Sequence, residues 1–329
     1  MIYVFYLLTV SAVVWFSILA SRYIDMIDRS TKLSGAFLGG VLLSAITSLP
    51  ELFTSISATT LIDDASLCIG NILGSNLFNF GMLAVVILFF IKGFSAANLS
   101  RSHRMVMLLL ILMYVAVWLN WQQVVDVEIV LGGASPWFYM GITSLIIAVL
   151  YILSVRYLAG DNGAASAASA DEEPAGEEVT LSLKSIVVRF VAASVGIIVA
   201  SIILTYITDD IAERLNLGSG LAGAIFLGVA TSLPEVTSTI SLFRMRNFDI
   251  AFGNIAGSNV FNYFVLAIAD LLYVRGTVYF FEDSKVINLT LFGLVASAVM
   301  FVLLCSRKIW VKVVMALAAI VCYFAFLLV

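Results

Sequence analysis

Charged side chains are scarce in this chain. Only 12% of its 329 residues are charged, whereas 62% are hydrophobic and the mean hydropathy is +1.10. A soluble domain carries about 25% charged residues. The composition therefore excludes an ordinary soluble protein and predicts an integral membrane protein with many spans, surrounded by the lipid bilayer. We expect neither a nucleic acid nor an obligate protein partner.

Histidine and cysteine are also rare. The chain has one histidine, His103, and three cysteines, Cys68, Cys305 and Cys322, scattered through apolar stretches. An odd and dispersed set of cysteines predicts neither a disulfide framework nor a metal cluster. No pair of His or Cys ligands is present for zinc or copper. We expect no cofactor and no enzymatic activity.

Ten apolar stretches are candidates to cross a bilayer, which takes about 20 residues of helix. A segment rich in Gly, Ala, Ser and acidic residues separates the fifth stretch from the sixth and indicates a linker. The predicted fold is an all-α polytopic membrane protein with one five-helix half at 1–159, a linker at 160–183 and a second half at 184–329. The ten predicted helices cover 2–21, 35–60, 66–91, 105–121, 137–158, 184–207, 219–243, 249–273, 286–305 and 309–328.

The distribution of basic residues predicts the orientation. Of the seventeen Lys and Arg residues, fourteen follow odd-numbered helices and three follow even-numbered ones. Because cytoplasmic loops are enriched in Lys and Arg, both termini should lie outside and the linker in the cytoplasm, with the cell membrane as the expected location. Five helices per half is an odd number, so the second half should enter the membrane inverted relative to the first, forming ten transmembrane helices in two inverted five-helix repeats.

Two polar phrases each occur twice in these apolar surroundings. Thr-Ser-Leu-Pro-Glu spans 47–51 and 231–235, and Gly-Asn-Ile-x-Gly-Ser-Asn-x-Phe-Asn spans 70–79 and 253–262. A duplicated polar motif inside apolar helices is typical of the binding site of a transporter with internal repeats. The repeats that contain these phrases cover about 35–80 and 220–264.

The spacing within the phrases predicts stripes of oxygen atoms, because residues four apart share one face of a helix. A carboxylate in the middle of the membrane costs at least about 2.5 kcal/mol, so Glu51 and Glu235 are predicted to be functional. Pro50 and Pro234 should each free a backbone carbonyl and kink the helix in the preceding turn. The four stripes are Thr47, Glu51 and Ser55; Thr231, Glu235 and Thr239; Asn71, Ser75 and Asn79; and Asn254, Ser258 and Asn262.

Carboxylates, hydroxyls, amide oxygens and backbone carbonyls are hard ligands, which suit Na⁺ and Ca²⁺. For some of the asparagines two interpretations stay open. Polar residues inside membrane helices also join helices by hydrogen bonds. Helix joining and ion contact are equally reasonable roles for Asn71, Asn76, Asn254 and Asn259.

These motifs together resemble the two α-repeats of the calcium:cation antiporter superfamily, and more closely its sodium/calcium exchanger branch. The resemblance covers both halves and implies that Glu51 and Glu235 carry Ca²⁺ at the centre, while the first and sixth helices slide to alternate access. The other implied residues are the carbonyl ligands Ser44, Thr47, Gly228 and Thr231, the flanking Na⁺ ligands Ser75 and Ser258, the pocket neighbours Asn79 and Asn262, and the signature serines Ser48 and Ser232.

The chain departs from the family pattern in the charge of the site. Sodium/calcium members often carry Asp at one of the positions held here by Asn79 and Asn262, so this site has only two formal negative charges. We interpret the chain as a secondary antiporter that exchanges Na⁺ for Ca²⁺ by alternating access. The alternatives are an H⁺/Ca²⁺ antiporter of the same fold, in which the glutamates take protons, and a passive cation channel.

Overall fold

The computed structural model describes residues 1–31, 43–123, 128–131, 138–165, 182–281 and 283–329. This described part is mostly helical and includes a two-stranded antiparallel hairpin, β1 (Glu128–Leu131) and β2 (Phe138–Gly141). The helices are α1 (Ile2–Thr31), α2 (Leu43–Thr47), α3 (Leu49–Ser57), α4 (Ala65–Phe89), α5 (Ile91–Ala96), α6 (Ser102–Trp121), α7 (Ile142–Ala165), α8 (Leu183–Leu215), α9 (Ser219–Ala222), α10 (Gly228–Thr231), α11 (Leu233–Arg244), α12 (Phe248–Leu272), α13 (Ser284–Cys305) and α14 (Ile309–Leu328).

Seven of the described helices are long and apolar enough to cross a membrane: α1, α4, α6, α8, α12, α13 and α14. The broken helix formed by Ser219–Thr231 and Leu233–Arg244, bent by 44°, provides an eighth candidate. A shorter apolar stretch, Ile142–Leu158, lies in α7. The chain is therefore a multi-pass membrane protein. Its count of ten spans stays a prediction, because the second predicted helix begins at residues outside the described part.

The hairpin corrects the all-α prediction. The fifth predicted helix began at 137, whereas α7 begins at Ile142 and residues 138–141 form β2. The carboxylate of Asp270, on α12, accepts hydrogen bonds from the Gly141 backbone N–H (3.1 Å) and the Ser144 hydroxyl (2.7 Å). Gly141 and Ser144 lie at the start of α7. Their hydrogen bonds to Asp270, which is distant in the sequence, stabilise the position at which the helix begins.

The helix ends near the predicted linker also differ from the prediction. Helix α7 continues through Ala165, beyond the expected boundary at 159, and α8 begins at Leu183. Residues 166–181, the larger part of the predicted linker, lie outside the described residues. The Ser182 side chain accepts a hydrogen bond from the Ser185 backbone N–H (3.3 Å) and so caps the start of α8.

Helices α4 and α12 occupy the centre of the molecule, although they contain the polar stripes. The most apolar 18-residue window of each is 72% buried, compared with 17% in α1 and 28% in α8. The two outer helices α1 and α8 pack along each other. The helices that contain the polar stripes are therefore enclosed by protein, whereas α1 and α8 are largely exposed at the outside, because the bilayer core cannot satisfy polar groups.

Both helices with a Thr-Ser-Leu-Pro-Glu phrase are broken at the serine. Helix α2 ends before Ser48 and α3 begins after it, and Ser232 separates α10 from α11 in the same way. Pro50 and Pro234 are each the second residue of the new helix, where a missing N–H is tolerated. The break therefore lies at the serine itself, just beyond the turn where the sequence predicted it.

The two halves differ by one residue in the connection between their phrases. Glu51 and Asn71 are twenty positions apart, whereas Glu235 and Asn254 are nineteen apart. Helix α3 is followed by a wider π-helical turn, Ala58–Ile62, whereas α11 runs as a regular helix to Arg244. A π-helical turn accommodates an extra residue within a helix, so it absorbs the inserted position and keeps the two halves matched at their asparagines.

Candidate cation-binding site

The two glutamates are fully buried and each is bonded to the opposite half of the chain. The Ser48 hydroxyl donates to Oε1 of Glu235 (2.8 Å), and the Ser232 hydroxyl donates to Oε1 of Glu51 (3.1 Å). Each serine lies at a helix break and each glutamate lies in the first turn after a break. The duplicated phrases therefore contact each other reciprocally across the centre of the molecule.

Besides Oδ1 of Asn254, four buried oxygen atoms of the polar stripes have no hydrogen-bond partner among the described residues. They form two matching pairs: Oε2 of Glu51 and of Glu235, and Oδ1 of Asn79 and of Asn262. Buried acceptors of this kind are almost always satisfied in native proteins, by a donor, by water or by an ion. Carboxylate and amide oxygens are also typical ligands of Na⁺ and Ca²⁺. These four oxygens are therefore candidate cation ligands.

A network of amides joins α4 to α12. The Asn76 amide donates to the backbone carbonyl of Asn259 (3.2 Å), and the Asn259 amide donates to that of Asn76 (3.1 Å). Asn79 donates to Oδ1 of Asn259 (2.9 Å), and Asn262 donates to Oδ1 of Asn76 (3.0 Å). In this geometry Asn76 and Asn259 join helices. The amide nitrogens of Asn79 and Asn262 face the network, which leaves their oxygens without a partner.

Asn71 and Asn254 attach the central helices to the broken ones. The Asn71 amide donates to the hydroxyls of Thr54 (2.8 Å) and Ser55 (3.0 Å), and the Asn254 amide donates to the Ser238 hydroxyl (2.9 Å). In this structure both asparagines therefore join helices, which was one of the two roles left open by the sequence.

The serines of the second phrase contact backbone carbonyls of the opposite half. The Ser75 hydroxyl donates to the carbonyl of Gly228 (3.1 Å), and the Ser258 hydroxyl lies 3.5 Å from the carbonyl of Ser44. A Cβ atom on Gly228 would lie 2.7 Å from the Ser75 backbone nitrogen, so only glycine allows this approach.

The threonine hydroxyls bond within their own helices. Thr47 donates to the carbonyl of Ser44 (3.2 Å), and Thr231 donates to the carbonyl of Leu227 (2.9 Å). All twelve predicted site residues are buried: Ser44, Thr47, Ser48, Glu51, Ser75, Asn79, Gly228, Thr231, Ser232, Glu235, Ser258 and Asn262.

Sequence reasoning missed the buried carboxylate of Asp270, near the end of α12. Besides Gly141 and Ser144, it accepts from the Thr277 hydroxyl (2.8 Å) and the Val278 backbone N–H (3.0 Å). Both of its oxygens are satisfied, so it anchors the hairpin and the loop after α12 rather than leaving an oxygen for an ion. An acid inside the predicted span 249–273 was the available signal.

With this geometry in hand, comparison with known proteins identifies the family. The model of the family described as sodium/calcium exchanger protein matches residues 1–160 and 185–329. The chain belongs to this family. It is a family of transmembrane ion antiporters, which transport cations without a cofactor and are not enzymes. The two matched ranges include both copies of the duplicated phrases.

The individual relatives either have low sequence identity to this chain or match only a short part of it. The inner membrane protein YrbG of Escherichia coli is 26% identical over 287 residues, which cover 86% of this chain and 82% of the relative. The sodium/calcium exchanger MaX1 of Methanosarcina acetivorans is 40% identical, but over only 63 residues, or 19% of this chain and 18% of the relative. The long match extends over most of the chain, and the short match is the more similar one.

Solved structures share the fold. The sodium-calcium exchanger NCX_Mj, soaked with Na⁺ and Sr²⁺, aligns with a TM-score of 0.62 at 17% identity, covering 100% of this chain and 98% of that one. The H⁺/Ca²⁺ exchanger CAX aligns with a TM-score of 0.63 at 15% identity, covering 98% and 86%. At these identities the likeness establishes the fold alone, and the two neighbours are named for different coupling ions.

Proposed function

We propose that this protein exchanges Na⁺ for Ca²⁺ across the cell membrane by alternating access. The observation that supports this most directly is the set of four buried acceptor oxygens without a donor, on Glu51, Glu235, Asn79 and Asn262. Two of these oxygens belong to carboxylates, and two Na⁺ or one Ca²⁺ would each neutralise that pair. Competition of the two ions for one pair of charges would couple their fluxes.

The remaining predicted residues complete the proposed site. Ser48 and Ser232 would hold the two carboxylates in place through the hydrogen bonds from opposite halves. Ser75 and Ser258 would serve flanking Na⁺ positions beside the carbonyls that they contact. The other proposed ligands are the backbone carbonyls of Ser44, Thr47, Gly228 and Thr231.

The proposed transport cycle uses the outer helices. Helices α1 and α8 pack along each other at the periphery, where sliding would expose little polar surface. The Tyr6 hydroxyl of α1 donates to the carbonyl of Phe226 (2.6 Å), two residues before Gly228. This contact would transmit a movement of α1 to the broken helix that contributes Glu235.

The proposed architecture has two inverted five-helix halves joined by a cytoplasmic linker, with both termini outside. Two single cysteines test this orientation in a variant without the three native cysteines. Val274→Cys follows α12 and should react with an impermeant reagent from outside, whereas Ser306→Cys, between α13 and α14, should react only from the cytoplasmic side. The reverse pattern would overturn the orientation.

The coupling ion is decided by flux in sealed vesicles. Vesicles loaded with Na⁺ should take up Ca²⁺ when diluted into Na⁺-free buffer at constant pH, and the Glu235→Gln variant serves as a matched blank. Ca²⁺ uptake that follows a pH gradient and ignores Na⁺ would assign H⁺ coupling, as in the CAX neighbour. Ca²⁺ entry without any counter-gradient requirement would indicate a channel.

The two neutral amides also bear on stoichiometry. With Asn79 and Asn262 uncharged, a third Na⁺ would leave an excess positive charge in a low-dielectric site, which is costly. We therefore expect exchange close to electroneutral, with Ca²⁺ flux nearly independent of membrane voltage. A strong voltage dependence would contradict this expectation. If the wild-type Ca²⁺ flux is nearly independent of voltage, the variant Asn262→Asp should show a voltage-dependent flux.

A further inference from the structure

A partly polar cavity lies apart from the glutamate pair, where α4 and α11 end and α5 and α12 begin. Its volume is about 720 Å³. It combines basic side chains with aromatic rings, which distinguishes it from the acidic centre of the protein. The residues that line it are Phe89, Phe90, Ile91, Lys92, Gly93, Arg244, Arg246 and Phe248.

The charge of this basic cavity is unbalanced. Lys92, Arg244 and Arg246 are exposed, and none of them forms an ion pair with an acid in the described part of the chain. The acid next to the cavity wall, Asp249, accepts hydrogen bonds from the Ser100 backbone N–H (2.6 Å) and contacts Nε2 of His103 (3.0 Å). Three positive charges therefore face one cavity without a described counter-ion.

The backbone conformation of Arg246 indicates that an arginine side chain is needed at this position. Arg246 has φ 59°, in the left-handed region, in the turn after α11. The turn closes through hydrogen bonds from the Arg246 N–H to Phe243 (3.0 Å) and from the Asn247 N–H to Leu242 (2.9 Å). Glycine or asparagine usually occupies this position at the end of a helix, because other residues are strained there. The turn nevertheless places an arginine at the cavity.

Helix-end electrostatics explain only part of this arrangement. A cation in the last turn of a helix interacts favourably with the helix dipole, which accounts for Arg244 on α11. Lys92 lies three residues beyond the end of α4, whose dipole also favours a cation there. Neither dipole accounts for three cations that line one cavity without a described acid, and a ligand that bears negative charge does.

The aromatic part of the cavity points to a lipid. Phe89, the last residue of the membrane helix α4, is 82% exposed, and it lies beside the basic residues. The cavity rests on packed rings: Phe243 lies 5.8 Å from Phe90 and 5.3 Å from Phe248 between ring centroids. An exposed ring next to cations suits a molecule with an acyl chain and an anionic head.

We propose that the basic cavity binds an anionic phospholipid, with its phosphate held by Lys92, Arg244 and Arg246 and an acyl chain against Phe89. Arginine pairs bidentately with phosphate, and basic pockets between membrane helices on the cytoplasmic side bind anionic headgroups. In the proposed orientation this cavity faces the cytoplasmic leaflet, where anionic lipids are enriched. A free phosphate shares the headgroup chemistry but would not use the exposed ring.

The test measures lipid binding to the full-length protein by native mass spectrometry. The probes are dihexanoyl phosphatidylglycerol, dihexanoyl phosphatidylcholine and inorganic phosphate. The wild type should bind phosphatidylglycerol in preference to the other two. The variant Lys92→Gln/Arg244→Gln/Arg246→Gln should bind it about a hundredfold more weakly. The control Arg101→Gln/Arg307→Gln/Lys308→Gln removes as many basic residues from outside the cavity and should bind like wild type.

A single substitution keeps the test valid if the triple variant is unstable. Arg246→Gly relieves the left-handed backbone, so this variant should unfold at the wild-type temperature or higher. It should nevertheless bind phosphatidylglycerol about fivefold more weakly. Wild-type affinity in both cavity variants would overturn the proposal. Equal loss in the control would show non-specific charge attraction and also overturn it. Inorganic phosphate binding as tightly as the lipid would make this a soluble-phosphate site and exclude the lipid.

Discussion

Asn71 in the first half and Asn254 in the second occupy matching positions, yet the structure uses their side-chain oxygens differently. Both amide nitrogens donate to hydroxyls of the neighbouring broken helix. The Asn71 oxygen lies 3.5 Å from the Thr231 hydroxyl, whereas the Asn254 oxygen has no hydrogen-bond partner among the described residues. The halves are thus alike in sequence but not in conformation.

The contacts of the two halves form two groups. The first group consists of contacts that are reciprocal between the halves, and the second of features that differ between them. The glutamate–serine bonds and the asparagine network are reciprocal, so both halves contribute equally to charge and to helix joining. The π-helical turn after α3 has no equivalent after α11, and the contact of Thr231 with Asn71 has no equivalent between Thr47 and Asn254. The second half has a π-helical turn of its own, Gly223–Leu227, but it lies before α10. Inverted repeats that alternate access must differ in conformation in any one state, so we expect the second group to change during transport.

The largest expected effect tests whether the carboxylates of both halves are needed to neutralise the bound cation. Glu51→Gln and Glu235→Gln should each reduce Na⁺-dependent Ca²⁺ uptake to the level of empty vesicles, because one remaining carboxylate cannot neutralise Ca²⁺. Radioactive calcium uptake measures this, with size-exclusion profiles to verify folding. Ser57→Ala, which removes a buried hydroxyl bonded only within α3, is the control and should retain uptake. Uptake that persists in one glutamate variant would break the equivalence of the halves.

A smaller effect is expected at the serines that cross between the halves. Ser48→Ala and Ser232→Ala each remove one hydrogen bond to a buried carboxylate, which contributes roughly 1.5–3 kcal/mol. Part of this is recovered when the cation binds, so we expect about a tenfold weaker apparent affinity for Ca²⁺ in both variants, with maximal uptake nearly unchanged. Concentration dependence of uptake measures it. A large loss in one variant alone would mean that the two carboxylates are held differently.

The asparagine network should matter more for stability than for transport. Asn76→Ala and Asn259→Ala each remove bonds between α4 and α12, and we expect each to lower the free energy of unfolding by about 1–2 kcal/mol. Thermal unfolding in detergent measures this. Because the two residues share bonds, the double variant should be less destabilised than the sum of the single variants. Strict additivity would contradict a shared network.

The smallest effect is expected at the inserted residue of the first half. Deleting Thr60, an exposed residue of the π-helical turn, should leave Ca²⁺ uptake within about threefold of wild type, because the turn can relax to a regular helix. Deleting Ser241, an exposed residue of the regular helix α11, is the matched control and should cost more uptake. Equal losses would mean that the π-helical turn does not absorb the insertion.

The sequence by itself determined the membrane class, the duplicated phrases and the residues of the candidate site. Glu51 and Glu235 were identifiable as functional candidates from the sequence, because a carboxylate inside the hydrocarbon of a membrane carries a free-energy cost that indicates a functional role. The spacing of four residues predicted a stripe of Asn71, Ser75 and Asn79 on one helix, and all three lie on α4, where they are buried. These inferences needed only composition and local periodicity.

The tertiary structure alone decided how the buried groups are paired. Ser48 bonds to Glu235 across 187 positions, and Asp270 holds Gly141 across 129. Neither partner follows from spacing, because contacts between distant residues depend on how the helices cross. For the same reason α7 begins at Ile142 and not at 137: its first residues bond to a carboxylate from α12. Local sequence sets which groups need partners, and packing sets which partners they meet.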